Sequence, residues 1–534
     1  MRIAAALFAA VTAAIVAAWA WLGASAEMPA SPFSGGQKVH CISYAPFRGD
    51  QDPFGPDVPI DPRQISQDLA RLKEITDCVR TYSIDHGLDR IAEVARQHDM
   101  KVLQGLWLSS FPELNRRQID RTIELARQFP DVITAVIVGN EALLRGDMSP
   151  PELAGTIREV KSKVSMPVTY ADVWEFWLRY RELAAEVDFI TIHILPYWED
   201  FPIPAHAAAR HVDAIRRRVV TAFPDKEVFV GEFGWPTVGR MRESALPSPI
   251  NQARAMQEVV ALARRENYRV NLIEAFDQPW KRQLEGTVGG HWGLFYADRT
   301  GPKFTWGGRV SDHPQWCWQA AGGVAFAAAI FGAALVTRRR TGAASGAAFW
   351  LRIAVIASIS GTLIGWTVAN VPLESFGIGG WVISLAWACT ALLLPTLAGA
   401  SLAARTTAPA FADIIGRKTA GYATRGRLGQ AVGILLILLA VLGVAAALGL
   451  IFDPRYRDFP FAPLIGSATP LVFLARWKLR PKAPAAERIM AATLALSAVY
   501  IIVNEGFANW QACWFCAGLL VLALILVRVP AAPS

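Results

Sequence analysis

Charge is scarce in this chain. Asp, Glu, Lys and Arg make up 18% of its 534 residues and hydrophobic residues 53%, where soluble domains carry about 25% charged residues. That balance excludes disorder, and with a mean hydropathy of +0.28 it is not the balance of a wholly soluble protein. The six cysteines are Cys41, Cys78, Cys317, Cys389, Cys513 and Cys516. None has histidines at ligand spacing, and Cys513 and Cys516 fall inside an apolar run, so no metal site and no cofactor is expected. Internal repeats and low-complexity tracts are lacking apart from alanine-rich apolar runs, which excludes solenoids. The length exceeds what one hydrophobic core organises, so at least two structural units are expected.

Long apolar runs are plentiful. After Arg2 one extends from Ile3 to Leu22, enough helix to cross a ~30 Å hydrocarbon core. Ala24-Ser25-Ala26 resembles a signal-peptidase site, but the run exceeds the ~7 to 15 residues of a signal core, so residues 1–26 are expected to be an uncleaved anchor rather than a signal peptide. Either reading exports the adjoining segment. About seven further runs occupy residues 316–528, at 316–336, 346–369, 378–403, 431–452, 460–475, 489–505 and 510–527, and read as membrane spans. Arg2, Arg338, Arg339, Arg340, Arg405, Arg417, Lys418, Arg425, Arg427, Arg476, Lys478, Arg480 and Lys482 then fall on one side, which is cytoplasmic by the positive-inside rule. The net charge of +8 is thus topological, and no nucleic-acid partner is expected. Residues 31–312 would lie outside the membrane, in the periplasm.

That segment alternates short apolar runs with amphipathic helical stretches, the pattern of parallel strands with crossover helices. Eight strands are expected, at 38–45, 78–83, 101–106, 132–139, 168–171, 189–194, 227–231 and 270–275, which suits an α/β fold, a (β/α)8 TIM barrel. Little helical pattern follows the eighth. Cys41 and Cys78 fall on neighbouring strands, where direct bridging across a parallel pair is awkward, and are expected as buried thiols.

In such a barrel the chemistry sits at the C-terminal ends of the strands. Two carboxylates fall there: Glu141 closes Val138-Gly139-Asn140-Glu141, and Glu232 lies in Val230-Gly231-Glu232-Phe233-Gly234-Trp235-Pro236. An ionised group after a hydrophobic strand is costly unless chemistry needs it. Cleaving a glycosidic bond needs such a pair, an acid to protonate the leaving oxygen and a carboxylate to attack the anomeric carbon.

These motifs resemble glycoside hydrolase family 17, the β-1,3-glucanases and glucanosyltransferases. Arg80-Thr81-Tyr82-Ser83, Ala171-Asp172-Val173-Trp174, Glu274-Ala275-Phe276-Asp277-Gln278-Pro279-Trp280-Lys281 and His291-Trp292-Gly293-Leu294-Phe295 add to the likeness, which covers about half the chain. The resemblance implies Glu141 as general acid/base, Asn140 on the sugar 2-hydroxyl, Glu232 as nucleophile of a retaining mechanism and Tyr197 bonded near Glu232. It further implies substrate contacts from Tyr44, Arg80, Tyr82, Asp172, Trp174, Trp235, Asp277, Trp280, Lys281 and Glu285. Gln278 and His193 depart from residues found in some relatives. The donor would be a β-1,3-glucan or oligosaccharide and the acceptor water or another glucan. The membrane half resembles the tails of bacterial members linked to cyclic or branched β-1,3/β-1,6-glucan, which would make a glucan synthase a partner.

The plainer readings are weighed on the same residues. A lone Asn-Glu after a strand is usually a helix cap, and half the tryptophans would be core. Asp50-Gln51-Asp52 forms a DxD but sits in a Gly/Pro-rich loop. Gln-x-x-Arg-Trp does not occur, which argues against a processive synthase. A membrane glucan-binding or export protein with a non-catalytic barrel is the alternative, and binding alone does not call for two facing carboxylates.

Overall fold

The computed structural model describes residues 2–55, 59–342, 346–406, 409–411, 414, 426–475 and 484–528. Arg417, Lys418, Arg425, Arg476, Lys478, Arg480 and Lys482, part of the cytoplasmic charge set, lie outside the described residues. The chain forms two compact units. One comprises Ala26–Val238 with Ala245–Val310, the other Met1–Ser25, Gly239–Ser244 and Ser311–Ser534.

The first unit is a closed eight-stranded parallel barrel. Its strands are β1 (Cys41–Ser43), β2 (Cys78–Arg80), β3 (Lys101–Leu106), β4 (Ile133–Asn140), β5 (Val168–Val173), β6 (Ile190–His193), β7 (Val228–Phe233) and β8 (Val270–Leu272). Closure comes from β1 against β8, with Cys41 opposite Asn271 and Ile42 opposite Leu272. Every strand falls on an expected run, because strands buried on both faces read as uninterrupted hydrophobic stretches. Crossover helices start where the sequence supplies caps: Asp61 accepts from the Arg63 amide, Ser149 and Glu152 form a capping box, and Ser248 accepts from Asn251. Cys41, Leu103, Ile137, Phe189 and Phe229 fill the barrel interior as an apolar layer.

Cys41 and Cys78 are a disulfide with Cα atoms 4.5 Å apart, which corrects the expectation of thiols. Ile42 pairs with Val79, so the two cysteines are direct neighbours on parallel strands, their side chains point the same way, and 4.5 Å lies inside the range a bridge tolerates. After the eighth strand an eight-residue helix, Arg282–Gly289, does form. Its Glu285 lies in the field of Lys281, which pairs with the buried Glu274.

The second unit is helical. Among the described residues, six helices are long and apolar enough to cross a membrane: Arg2–Leu22, Trp316–Thr341, Ala347–Glu374, Gly377–Ala403, Gly426–Phe452 and Ala485–Glu505. Two more, Phe461–Leu474 and Trp510–Leu526, are apolar but shorter. Pro460 stands immediately before the first of these helices. The Trp316 and Ala347 helices touch through glycine: a Cβ on Gly323 would lie 2.3 Å from the Gly361 carbonyl oxygen, the close approach that small residues permit between apolar helices. Within this unit Glu505 pairs with Arg240, and the Met241 amide donates to Gln511 Oε1 at 2.7 Å.

Candidate active site

Strand ends assemble one polar cluster at the barrel mouth. Glu232, on β7, is 4% exposed and its Oε1 accepts from Arg80 Nη1 at 2.8 Å and from the Tyr82 hydroxyl at 2.9 Å. Arg80, at the end of β2, also donates from Nη1 to the Gly231 carbonyl at 2.8 Å and from Nη2 to Asn140 Oδ1 at 2.5 Å. Tyr82 is fixed in turn by Ser43 Oγ at 2.8 Å, which accepts from Asn271 Nδ2 at 2.8 Å.

Glu141 stands one residue beyond β4 in a left-handed backbone conformation, φ 52°, with its amide donating to the Ala171 carbonyl at 2.8 Å. His193, closing β6, lies between the two carboxylates, with Nδ1 2.8 Å from Glu141 Oε1 and Nε2 3.6 Å from Glu232 Oε1. Gly231 makes room for the neighbouring strand: a Cβ there would meet Thr191 Cγ2 at 2.3 Å. One ligand atom each from Glu141, His193 and Glu232 lies within 4.8 Å of the others. A divalent cation could bridge that spacing, but the Arg80 guanidinium already neutralises Glu232 from inside the barrel, and a second cation would meet its charge.

Environment separates the carboxyls. Burial alone would push Glu232 up, but the fixed charges of Arg80 and Lys281 and the Tyr82 hydrogen bond outweigh it and hold the group below the usual range. Burial, reinforced by the Glu141 charge, pushes Asp172 up to about 6 against the hydrogen bond from Tyr170. Burial likewise pushes Glu274 up to about 7, against the pull of Lys281. Lys281, although burial opposes its charge, is held firmly protonated by Glu274 and Glu285.

The expected site residues divide. Glu141, Glu232, Asn140, Arg80 and Tyr82 meet directly. Asp172 is fully buried beneath them, bonded to Tyr170, and acts through its field. The half-buried rings of Trp174 and Trp280 keep part of their surface open, with the Trp280 indole on Gln278 Oε1 at 2.8 Å. Lys281 and Glu285 belong to the Glu274 ion cluster. Three assignments are corrected. Tyr44, 1% exposed, donates to Asp68 at 3.1 Å inside the core. Trp235, fully buried, donates to the Leu246 carbonyl at 3.0 Å and offers no ring face. Asp277, 3% exposed, accepts from Lys303 at 2.7 Å and the Gly293 amide at 2.9 Å and ties the closing segment to the barrel. Tyr197 is buried among Trp198, Trp235 and Trp292, and Tyr82 is a tyrosine that donates to Glu232. The sequence reading missed the place of His193 between the glutamates, although its position at a strand end was a signal.

A closed parallel barrel carrying two facing carboxylates at its strand ends is a glycoside-cleaving scaffold. Residues 41–293 match the BtgE/BtgC glycoside hydrolase domain, a domain of glycoside hydrolase family 17. The chain is similar to a glucan 1,3-β-glucosidase of Candida albicans, 27% identical over 256 residues that cover 44% of this chain and 83% of that protein. It is also similar to a glucan 1,3-β-glucosidase of Saccharomyces cerevisiae, 26% identical over 251 residues covering 43% and 80%. Among solved structures, a β-1,3-glucanosyltransferase of Rhizomucor miehei, an active-site mutant in complex with laminaritriose, is 26% identical with a TM-score of 0.45 over 51% of this chain and 98% of that one.

Proposed function

We propose that the barrel acts on β-1,3-glucan by double displacement, with Glu232 attacking the anomeric carbon and Glu141 serving as acid and then base. The observation that carries this reading is the spacing: a Glu141 oxygen lies within 4.8 Å of one of Glu232. Retaining enzymes hold their carboxyls about 5 to 5.5 Å apart and inverting ones leave ~6.5 to 9.5 Å for a water. The ionised state favoured at Glu232 suits a nucleophile. Asn140, held by Arg80, would receive the sugar 2-hydroxyl, and Tyr82, Trp174, Trp280 and Lys281 would line the sugar path. The glycosyl unit passes to water or to another glucan, giving linear, branched or cyclic β-1,3/β-1,6 products.

The reaction takes place on the periplasmic side of a bacterial cell membrane, with the apolar helices as anchor and a glucan synthase as supplier of chain. Arg2, Arg338, Arg339 and Arg340 at the ends of apolar helices support that orientation, as does a disulfide in the barrel, since such bonds persist in oxidising compartments. Incubating the full chain in detergent with reduced laminari-oligosaccharides and mapping products by length and linkage tests the activity. Products of retained configuration are expected, and an inverted first product or none overturns the reading. A reporter fused after Asp312 should be periplasmic and one after Arg340 cytoplasmic.

A further inference from the structure

We infer that His193 is a positioning residue that fixes the Glu141 carboxyl and directs its catalytic proton to Oε2; the inference rests on the acid/base role proposed above for Glu141. The imidazole is fully buried and has charged neighbours at both nitrogens. Arg80 on β2 donates from Nη2 to Nε2 at 3.3 Å, Glu232 on β7 lies 3.6 Å from Nε2, and Glu141 after β4 lies 2.8 Å from Nδ1. Asp172 on β5 adds its field. A guanidinium can only donate, so the nitrogen it addresses carries the lone pair, and a second proton on Nε2 would point at a fixed positive charge. The neutral ring therefore keeps its hydrogen on Nδ1 and donates it to Glu141 Oε1.

With Oε1 occupied as an acceptor, the proton that Glu141 gives to the leaving oxygen resides on Oε2. Glu141 Oε2–H breaks as the bond to the leaving oxygen forms, and in the second half Oε2 takes a proton from water or the acceptor hydroxyl. The Nδ1–H bond persists through both halves and strengthens when Glu141 is anionic, so His193 eases proton release without itself changing protonation. Arg80, by holding Nε2, sets the tautomer of a ring that in turn orients the acid.

Two conservative substitutions separate this role from packing. An Asn amide nitrogen stands where Nδ1 stands, and a Gln amide where Nε2 stands. His193→Asn keeps the donor to Glu141, whereas His193→Gln keeps only the partner of Arg80. In the full chain, kcat/KM against pH on reduced laminari-oligosaccharide should keep its basic limb in His193→Asn. The limb should move up by about one pH unit in His193→Gln, which has lost a donor to the carboxylate form, with kcat ~10–100-fold lower and KM little changed. If His193→Gln does not fold, 15N NMR of histidine-labelled wild-type chain decides, with the resonance assigned by its loss in His193→Asn. An Nδ1–H tautomer is expected, and an Nε2–H tautomer overturns the inference. Identical basic limbs in the Asn and Gln variants also overturn it. Glu232→Gln run alongside tells the two failures apart: full activity there sinks the glucanase reading itself, whereas a dead Glu232→Gln with identical His193 variants sinks only the role of His193.

Discussion

Arg80 holds Glu232 and Asn140 with the two arms of one guanidinium, at 2.8 Å and 2.5 Å. A residue expected to touch substrate is instead the buried post on which the mouth is hung. Arg80→Lys keeps the charge but loses the fork, so Asn140 and His193 lose their donor, and turnover should drop by ~100-fold with the fold intact. Arg80→Met leaves a carboxylate buried without its partner and should cost roughly 3–5 kcal/mol of stability. Equal activity and thermal midpoints in both variants would refute the post role.

The proposed roles of the two glutamates predict opposite chemical rescues. Glu232→Gln should lose turnover by roughly a thousandfold or more. Glu141→Ala should fail on natural glucan, yet its first step should survive with a donor whose leaving group needs no proton. Azide should then give a glycosyl azide of retained configuration from Glu141→Ala and of inverted configuration from Glu232→Ala. NMR of the anomeric proton reads the result, and the reverse pairing would exchange the assignments.

Asp172 predicts a pH dependence of stability. Its folded-state pKa is raised to about 6 by burial above an unfolded value near ~3.9. Its stabilising contribution is therefore fully present below about pH 4 and is lost as pH rises through 6. Asp172→Asn cannot ionise, so its thermal midpoint relative to wild type should rise between pH 4 and pH 7. A difference that stays level or falls over that range would contradict the assignment.

The barrel was legible because its physics is local. Lys101–Leu106 reads as a strand and forms one over the same residues, and the two carboxylates were visible because charge after a hydrophobic run is rare. What escaped depends on partners distant in sequence. Nothing next to Tyr44 announces Asp68, and Trp235 looks like a sugar platform until Leu246 folds over its indole. His193 gains its place only when Arg80 arrives from β2, 113 residues away.

The Cys41–Cys78 bond closes a loop of 37 residues around the first crossover helix. Opening such a loop should cost about 2–4 kcal/mol. Cys41→Ser/Cys78→Ser should unfold at a lower temperature than wild type, and mass spectrometry after alkylation without reductant should find both wild-type cysteines unlabelled. Labelling of either, or an unchanged midpoint, would count against the bridge.

The left-handed backbone at Glu141 gives the acid a thermodynamic cost of its own. A side chain bearing a Cβ sits there at an expense of ~1 kcal/mol or more that glycine does not incur. Glu141→Ala keeps that expense and Glu141→Gly sheds it, so two equally inactive proteins should differ in stability, with the glycine form the more robust. Selection for robustness alone would have placed glycine at this turn. Glutamate there is the mark of a trade-off in which the barrel gives up some endurance for the ability to move a proton.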